Sequence, residues 1–208
     1  MLKLTVMTLL RQWRFSVMKK AQSLQERLDL VLPRIESEDF LKNQGLGNEI
    51  GFYIFDYPPE KELDVREYLS FMTDKLEKRG RKFANINLFE IVIELLESRK
   101  LTERAFKLQK ERGDDALFNA LKGPLEQNRV ADFIAKKADL ENTEFILMHG
   151  LGSAWPIIRG HGLLNALHAK VGSVPTILFY PGEWNGGSLK AFNVMPPNNY
   201  YRAFKLES

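Results

Sequence analysis

The sequence predicts an α/β fold, a mostly parallel sheet flanked by helices with an antiparallel hairpin near its carboxyl end. Three runs carry this expectation. Residues 49–59 (EIGFYIFDYPP), 143–150 (TEFILMHG) and 174–182 (VPTILFYPG) are almost continuously apolar, as strands buried on both faces are. Helical patterns separate them, and strands alternating with helices imply parallel pairing through crossovers. The sheet is expected to resemble that of a P-loop ATPase without a Walker A loop.

The elements follow in order. Leu24, Leu28 and Leu32 recur at helical spacing among polar residues, predicting a helix over 20–32 that ends at Pro33. Residues 37–43 add a turn, and GLGN at 45–48 is a loop. The first strong strand carries Asp56 at its carboxyl end. Pro58 and Pro59 stop it, and Pro59 opens a helix over 60–79 with Val65, Leu69, Met72 and Leu76 on one face. The stretch 81–100 divides into a short strand, Phe83 to Asn87, and a helix, Leu88 to Ser98. Helical patterns follow near 101–111 and 114–138, the second interrupted at Gly123-Pro124. After the second strong strand, residues 152–172 form one helix ending near Gly172. Residues 183–194 form a hairpin turning at Asn185-Gly186, adding an antiparallel edge. Residues 200–206 form a last short strand.

Bulk properties bound the function. A chain of 208 residues, 44% hydrophobic and 27% charged, suits one soluble domain with a core of its own. Having no cysteine, it has no disulfide framework, thiol nucleophile or thiolate zinc site, which fits a cytoplasmic protein. The net charge of +3 lies entirely in residues 1–17, which hold Lys3, Arg11 and Arg14 and no acid. From Met18 onward 27 basic residues face 27 acidic ones, which argues against direct DNA binding. The first 17 residues admit three readings: a signal peptide, a basic amphipathic membrane helix, or an extension ahead of a natural start at Met18. The third is preferred, because the apolar run is short and arginines follow it. A single domain over 18–208 is therefore expected. No stretch approaches the roughly 20 apolar residues of a membrane span.

Catalytic signatures are incomplete. No glycine precedes a lysine, so a Walker A loop is missing, and G-x-G-x-x-G, G-x-S-x-G and H-E-x-x-H are missing too. Polar residues at predicted strand ends remain, where open α/β sheets bind ligands. Asp56 is read as a Mg²⁺ ligand or, preferably, a turn cap; His149 as a base or, preferably, a hydrogen-bonded structural residue. His161 and His168 are seven apart on one helix, about 10 Å in rise, too far to chelate one ion. In GLGSAWP, Gly150 and Gly152 permit a sharp turn, Ser153 is a candidate N-cap and Pro156 fits a first helical turn. Free amides there, with Arg159, could hold an anion. The alternative is a plain strand-to-helix turn with Arg159 in a salt bridge. In YPGEWNGGS, Trp184 beside Tyr180 is either an exposed partner contact or a plug on one end of the sheet. Glu183 has no second carboxylate nearby for paired acid–base chemistry. Gly150, Gly152, Ser153, Arg159, His161, Glu183 and Trp184 are thus the candidates for an anion or partner contact. No catalytic residue, metal site or cofactor is assigned.

Residues 149–192 resemble the most distinctive segment of the BrxB family of BREX phage-exclusion systems. The shared features are the glycine turn at Gly150 and Gly152, Pro156-x-x-Arg159-x-His161, the helix from Leu163 to Leu167, and Pro181 to Trp184. Residues 52–69 resemble the family's first strand and helix, and the likeness spans about 18–206. It implies a role in antiviral defence, in systems that methylate host DNA and block phage DNA replication. It further implies a small accessory component beside a large ATPase, a methyltransferase and the alkaline-phosphatase-like PglZ protein, with PglZ the expected partner. The family brings no established catalytic residues. The leading expectation is a non-enzymatic assembly subunit. The alternatives are a degenerate nucleotide- or anion-binding regulatory module and a metal-dependent phosphoryl hydrolase using Asp56, His149 and His161.

Overall fold

A computed structural model describes residues 22–42, 51–193 and 203–207. The expectations for residues 1–17, the loop at 45–48 and the start of the last strand lie outside these. The described elements are α1 (Leu24–Ile35), α2 (Glu38–Leu41), β1 (Phe52–Tyr57), a 3₁₀ turn (Pro59–Lys61), α3 (Glu62–Lys78), β2 (Phe83–Asn87), α4 (Leu88–Ser98), α5 (Thr102–Leu121), α6 (Gln127–Lys137), β3 (Phe145–His149), α7 (Leu151–Ala154), α8 (Gly160–Val171), β4 (Thr176–Trp184), β5 (Leu189–Ala191) and β6 (Phe204–Lys205).

The sheet runs β2-β3-β4-β1-β6, all pairs parallel. The central strands are buried because both faces are covered. Tyr53, Phe55, Phe145, Leu147, Ile177 and Phe179 pack with α1, α2 and α3. The alternate residues, including Ile54, Ile146, Met148 and Leu178, pack with α4, α6 and α8. Period-two alternation thus divides one apolar run between two cores, and each fully buried aliphatic or aromatic side chain contributes about 1.5–3 kcal/mol.

Three local expectations are corrected. Pro33 does not end α1, which runs on to Ile35. The proline sits in the last turn, and burial of Val31 and Ile35 outweighs the single backbone bond it forfeits. Residues 152–172 are not one helix: α7 stops at Ala154, a connection with a cis Trp155-Pro156 bond follows, and α8 starts at Gly160. The hairpin forms and adds β5 as an antiparallel strand, but on central β4 and not at an outer edge. Only the last three residues of β4, Gly182–Trp184, pair with β5. They do so through a four-residue loop whose Asn185 Oδ1 accepts from the N–H groups of Gly187 and Ser188.

The polar end of β1 is structural. Arg27 Nη2 of α1 meets Asp56 Oδ1 at 2.6 Å and the Asp56 carbonyl at 2.7 Å, while Asp56 Oδ2 accepts from the Trp184 N–H at 2.9 Å. Lys205 of β6 lies 3.6 Å from Asp56 Oδ1. Asp56, 7% exposed, therefore ties α1, β1, β4 and β6 together instead of capping the turn into Pro58. After β1 comes the Pro58-Pro59 turn, which holds no glycine-rich segment.

Candidate functional site

The carboxyl ends of β2 and β3 open onto a groove of about 360 Å³ between α3 and α7, lined by Arg66, Asn85, Asn87, His149, Gly150 and Ser153 among others. Strand pairing puts Asn87 beside His149. The β pleat points Asn85, Asn87 and His149 to the α3 side of the sheet. His149 Nε2 lies 3.1 Å from Asn85 Oδ1, and burial holds the imidazole below its ordinary pKa, against the raising influence of Glu90 and Glu62. Asn87 Oδ1 caps α4 by accepting from the Phe89 N–H, and its amide donates to Glu90.

Glu62 organises the other wall. It accepts from the Tyr57 hydroxyl at 2.6 Å and from Arg66 Nε at 2.8 Å, and Arg66 Nη2 donates to Ser153 Oγ at 3.0 Å. Burial first, and then the Glu62 carboxylate, push the Tyr57 pKa far up and keep its hydroxyl protonated. Ser153 is therefore an acceptor inside α7 and not the N-cap of the following helix. Gly152 lies with Glu62 Oε2 3.8 Å from where its Cβ would be. A carboxylate beside the glycine turn disfavours an anion there.

Arg159 stands apart from this groove. It occupies the N-cap position of α8 without a side-chain cap, and among the described residues it has no carboxylate partner. It lines two other depressions. One, about 320 Å³, is shared with Lys122, Gln127, Pro156 and His161. The other, about 50 Å³, is shared with Trp155, Tyr180 and Phe192. Gln127 Nε2 donates to the Ile157 carbonyl at 3.2 Å and ties the connection before Arg159 to α6. Burial, and then the neighbouring Arg159 charge, lower the His161 pKa. Trp155 is 37% exposed and meets Phe192 edge-on at 5.4 Å.

The candidates thus divide into two groups. Gly150, Gly152 and Ser153 belong to the strand-end region, Arg159 and His161 to the face beside Trp155. Glu183 is exposed on β4. Trp184, at 6% exposure, is the plug and not an exposed contact. Asp56, His149 and His161 sit in separate surroundings, and among the described residues no three or more His, Cys, Asp or Glu gather as a metal-ligand set. Sequence reasoning missed Glu62, Arg66, Asn85, Asn87 and Trp155. Two signals were available: Glu62 and Arg66 are an i,i+4 pair just after a strong strand, and Asn85 and Asn87 share one face of a strand.

No helix among the described residues is long and apolar enough to cross a membrane. No solved structure matches the chain. Two curated relatives, both called BREX protein BrxB, do. The one from Escherichia coli O9:H4 (strain HS) is 46% identical over 183 residues, which cover 88% of this chain and 91% of the relative. The one from Bacillus cereus (strain H3081.97) is 36% identical over 186 residues, covering 88% and 97%. The family model for BREX protein BrxB matches residues 84–206. With matches spanning both cores and the strand-end groove, the chain belongs to the BrxB family.

Proposed function

We propose that this chain is a non-enzymatic accessory subunit of a BREX-type phage defence system, working in the cytoplasm and docking onto the PglZ component. The observation that carries the reading is how the strand-end groups spend their capacity on one another. Asp56 holds Arg27, Glu62 holds Tyr57 and Arg66, Arg66 holds Ser153, and His149 holds Asn85. The one hydroxyl–carboxylate pair among them, Tyr57 with Glu62, is buried and its phenol is held protonated, which argues against an activated nucleophile there. Partner contact instead falls to the Trp155–Arg159 face, where an exposed aromatic stands beside an uncompensated arginine. These are the residue types that dominate protein interfaces.

The test is affinity capture of the tagged chain from cells carrying the whole defence cluster. PglZ is expected in the eluate, and the Trp155→Ala/Arg159→Ala double variant, melting as the parent does, is expected to lose it. Recovery of the chain with no other cluster member would overturn the reading.

One observation favours a second reading, a degenerate nucleotide- or anion-binding module: Lys122, Arg159 and His161 share the 320 Å³ depression. Calorimetry with ATP, GTP and Mg²⁺ separates the two. Heat that disappears in Arg159→Ala supports the module; its absence leaves the docking subunit.

A further inference from the structure

The helical span of α5 is unlike the others. From Thr102 to Ala120 no residue is fully buried; Leu121, 8% exposed, is buried in the core and partly buried Leu117 packs against it. Gly113 breaks the span with φ 79° and ψ −179°, a conformation essentially confined to glycine. The two halves border a groove of about 550 Å³, with Leu101, Ala105, Leu108, Leu117, Leu121 and Pro124 supplying its apolar lining. Arg104, Lys107, Glu111 and Arg112 line the same groove. The segment 99–112, RKLTERAFKLQKER, holds six cations against two carboxylates. Lys107 pairs with Glu111 at 3.8 Å. Among the described residues Arg104 and Arg112 have no carboxylate partner. Phe106 stands beside them, 68% exposed.

An apolar floor whose rim carries two arginines without carboxylate partners among the described residues selects its occupant. Nucleic acid would use the cations, but its phosphates gain nothing from six apolar residues. A second copy docking by this same surface would bring the same positive rim against it. We infer that this groove is a docking site for an acidic amphipathic helix of a partner protein. Its aliphatic stripe lies on Leu101, Leu108 and Leu117, and its carboxylates face Arg104 and Arg112. This is helix-in-groove recognition, with the charges steering encounter. The surface differs from the Trp155–Arg159 face, so failure of this site and failure of the docking reading above are separately visible.

The experiment is fluorescence anisotropy on the full chain with a labelled 18-residue peptide, leucines at i, i+3, i+4 and i+7 and glutamates between. Three comparison probes are used: a scrambled peptide of the same composition, a lysine-for-glutamate peptide and an 18-base-pair duplex. The acidic amphipathic peptide is expected to bind at least about tenfold tighter than all three, and to weaken as salt rises. Leu108→Glu, and separately Arg104→Glu/Arg112→Glu on exposed positions, are each expected to weaken it about tenfold or more. The inference is overturned if the scrambled peptide binds equally, if the duplex binds tighter, if both variants bind as the parent does, or if no peptide binds. A concentration-dependent dimer abolished by Leu108→Glu would assign the groove to a second copy and overturn it as well.

Discussion

At Gly150 the backbone turns with φ +75°, and a Cβ there would lie 2.4 Å from Asn87 Oδ1. Asn87 cannot yield freely, because that oxygen caps α4. Gly150→Ala therefore combines left-handed strain of about 1–2 kcal/mol with damage to a cap worth about 1 kcal/mol. A loss of about 2–3 kcal/mol in urea denaturation is expected, and an unchanged midpoint would refute it. At Asp56, removal of the carboxylate leaves the buried Trp184 N–H without its partner and takes one of two carboxylates from Arg27, which keeps Glu207 at 2.6 Å. Asp56→Ala is expected to cost about 2–4 kcal/mol, measured in the same way. A small loss of stability there would mean that Asp56 is not the tie described. His149 gives a pH dependence whose sign is fixed. Its folded pKa is lowered by burial from the ordinary 6.5, so above pH 6.5 both states are neutral and nothing is lost. As pH falls below 6.5 the unfolded chain takes up the proton first, and stability declines until the folded pKa is passed. His161 adds to the same window in the same direction. The melting temperature is expected to fall from pH 7 toward pH 5.5, less steeply in His149→Gln. Equal slopes in parent and variant would refute the assignment to His149.

Elements were legible in the sequence wherever one local signal dominated. The division of 81–100 at Asn87 and Leu88 matches the structure because the asparagine ends β2 and caps α4 with its own side chain. The three apolar runs became β1, β3 and β4 because burial on two faces leaves no polar alternation to misread. The signal failed where tertiary contacts decide. The 152–172 stretch has helical periodicity throughout, yet the chain leaves the helix at Trp155, where Gln127 of a distant helix holds the Ile157 carbonyl. Likewise, Arg66 reaches Ser153 across 87 positions, a pairing no spacing rule displays. The hairpin rests on Gly182, whose φ is +150° and whose Cβ would meet the Lys190 carbonyl oxygen at 2.2 Å. Gly182→Ala is expected to unpair β5 from β4. In hydrogen-exchange mass spectrometry, peptides covering 182–191 should exchange much faster than in the parent while those of β3 stay protected. Unchanged protection over 182–191 would show that the pairing tolerates the side chain.

Across the whole molecule, burial is unequal in a way that separates stability from contact. Both cores close on β1, β3 and β4, whose interiors are buried on each face, so opening them requires disrupting two hydrophobic layers together. The span 102–112 rests on partly exposed Leu101, Ala105 and Leu108 and is followed at once by the break at Gly113. Local opening needs only the few contacts of the opening unit to be lost, so its free energy lies far below the global value. The expected order of amide exchange is therefore steep. Peptides from β1, β3 and β4 should exchange only through global unfolding, with rates that track denaturant stability. Those from 102–112 should exchange orders of magnitude faster and respond little to low denaturant. Saturating the acidic amphipathic peptide should slow 102–112 and leave β4 unchanged, since an occupant of the groove protects only what it covers. If 102–112 is already as protected as β4 without an occupant, the span belongs to the folding core. Its apolar lining would then need no partner to explain it.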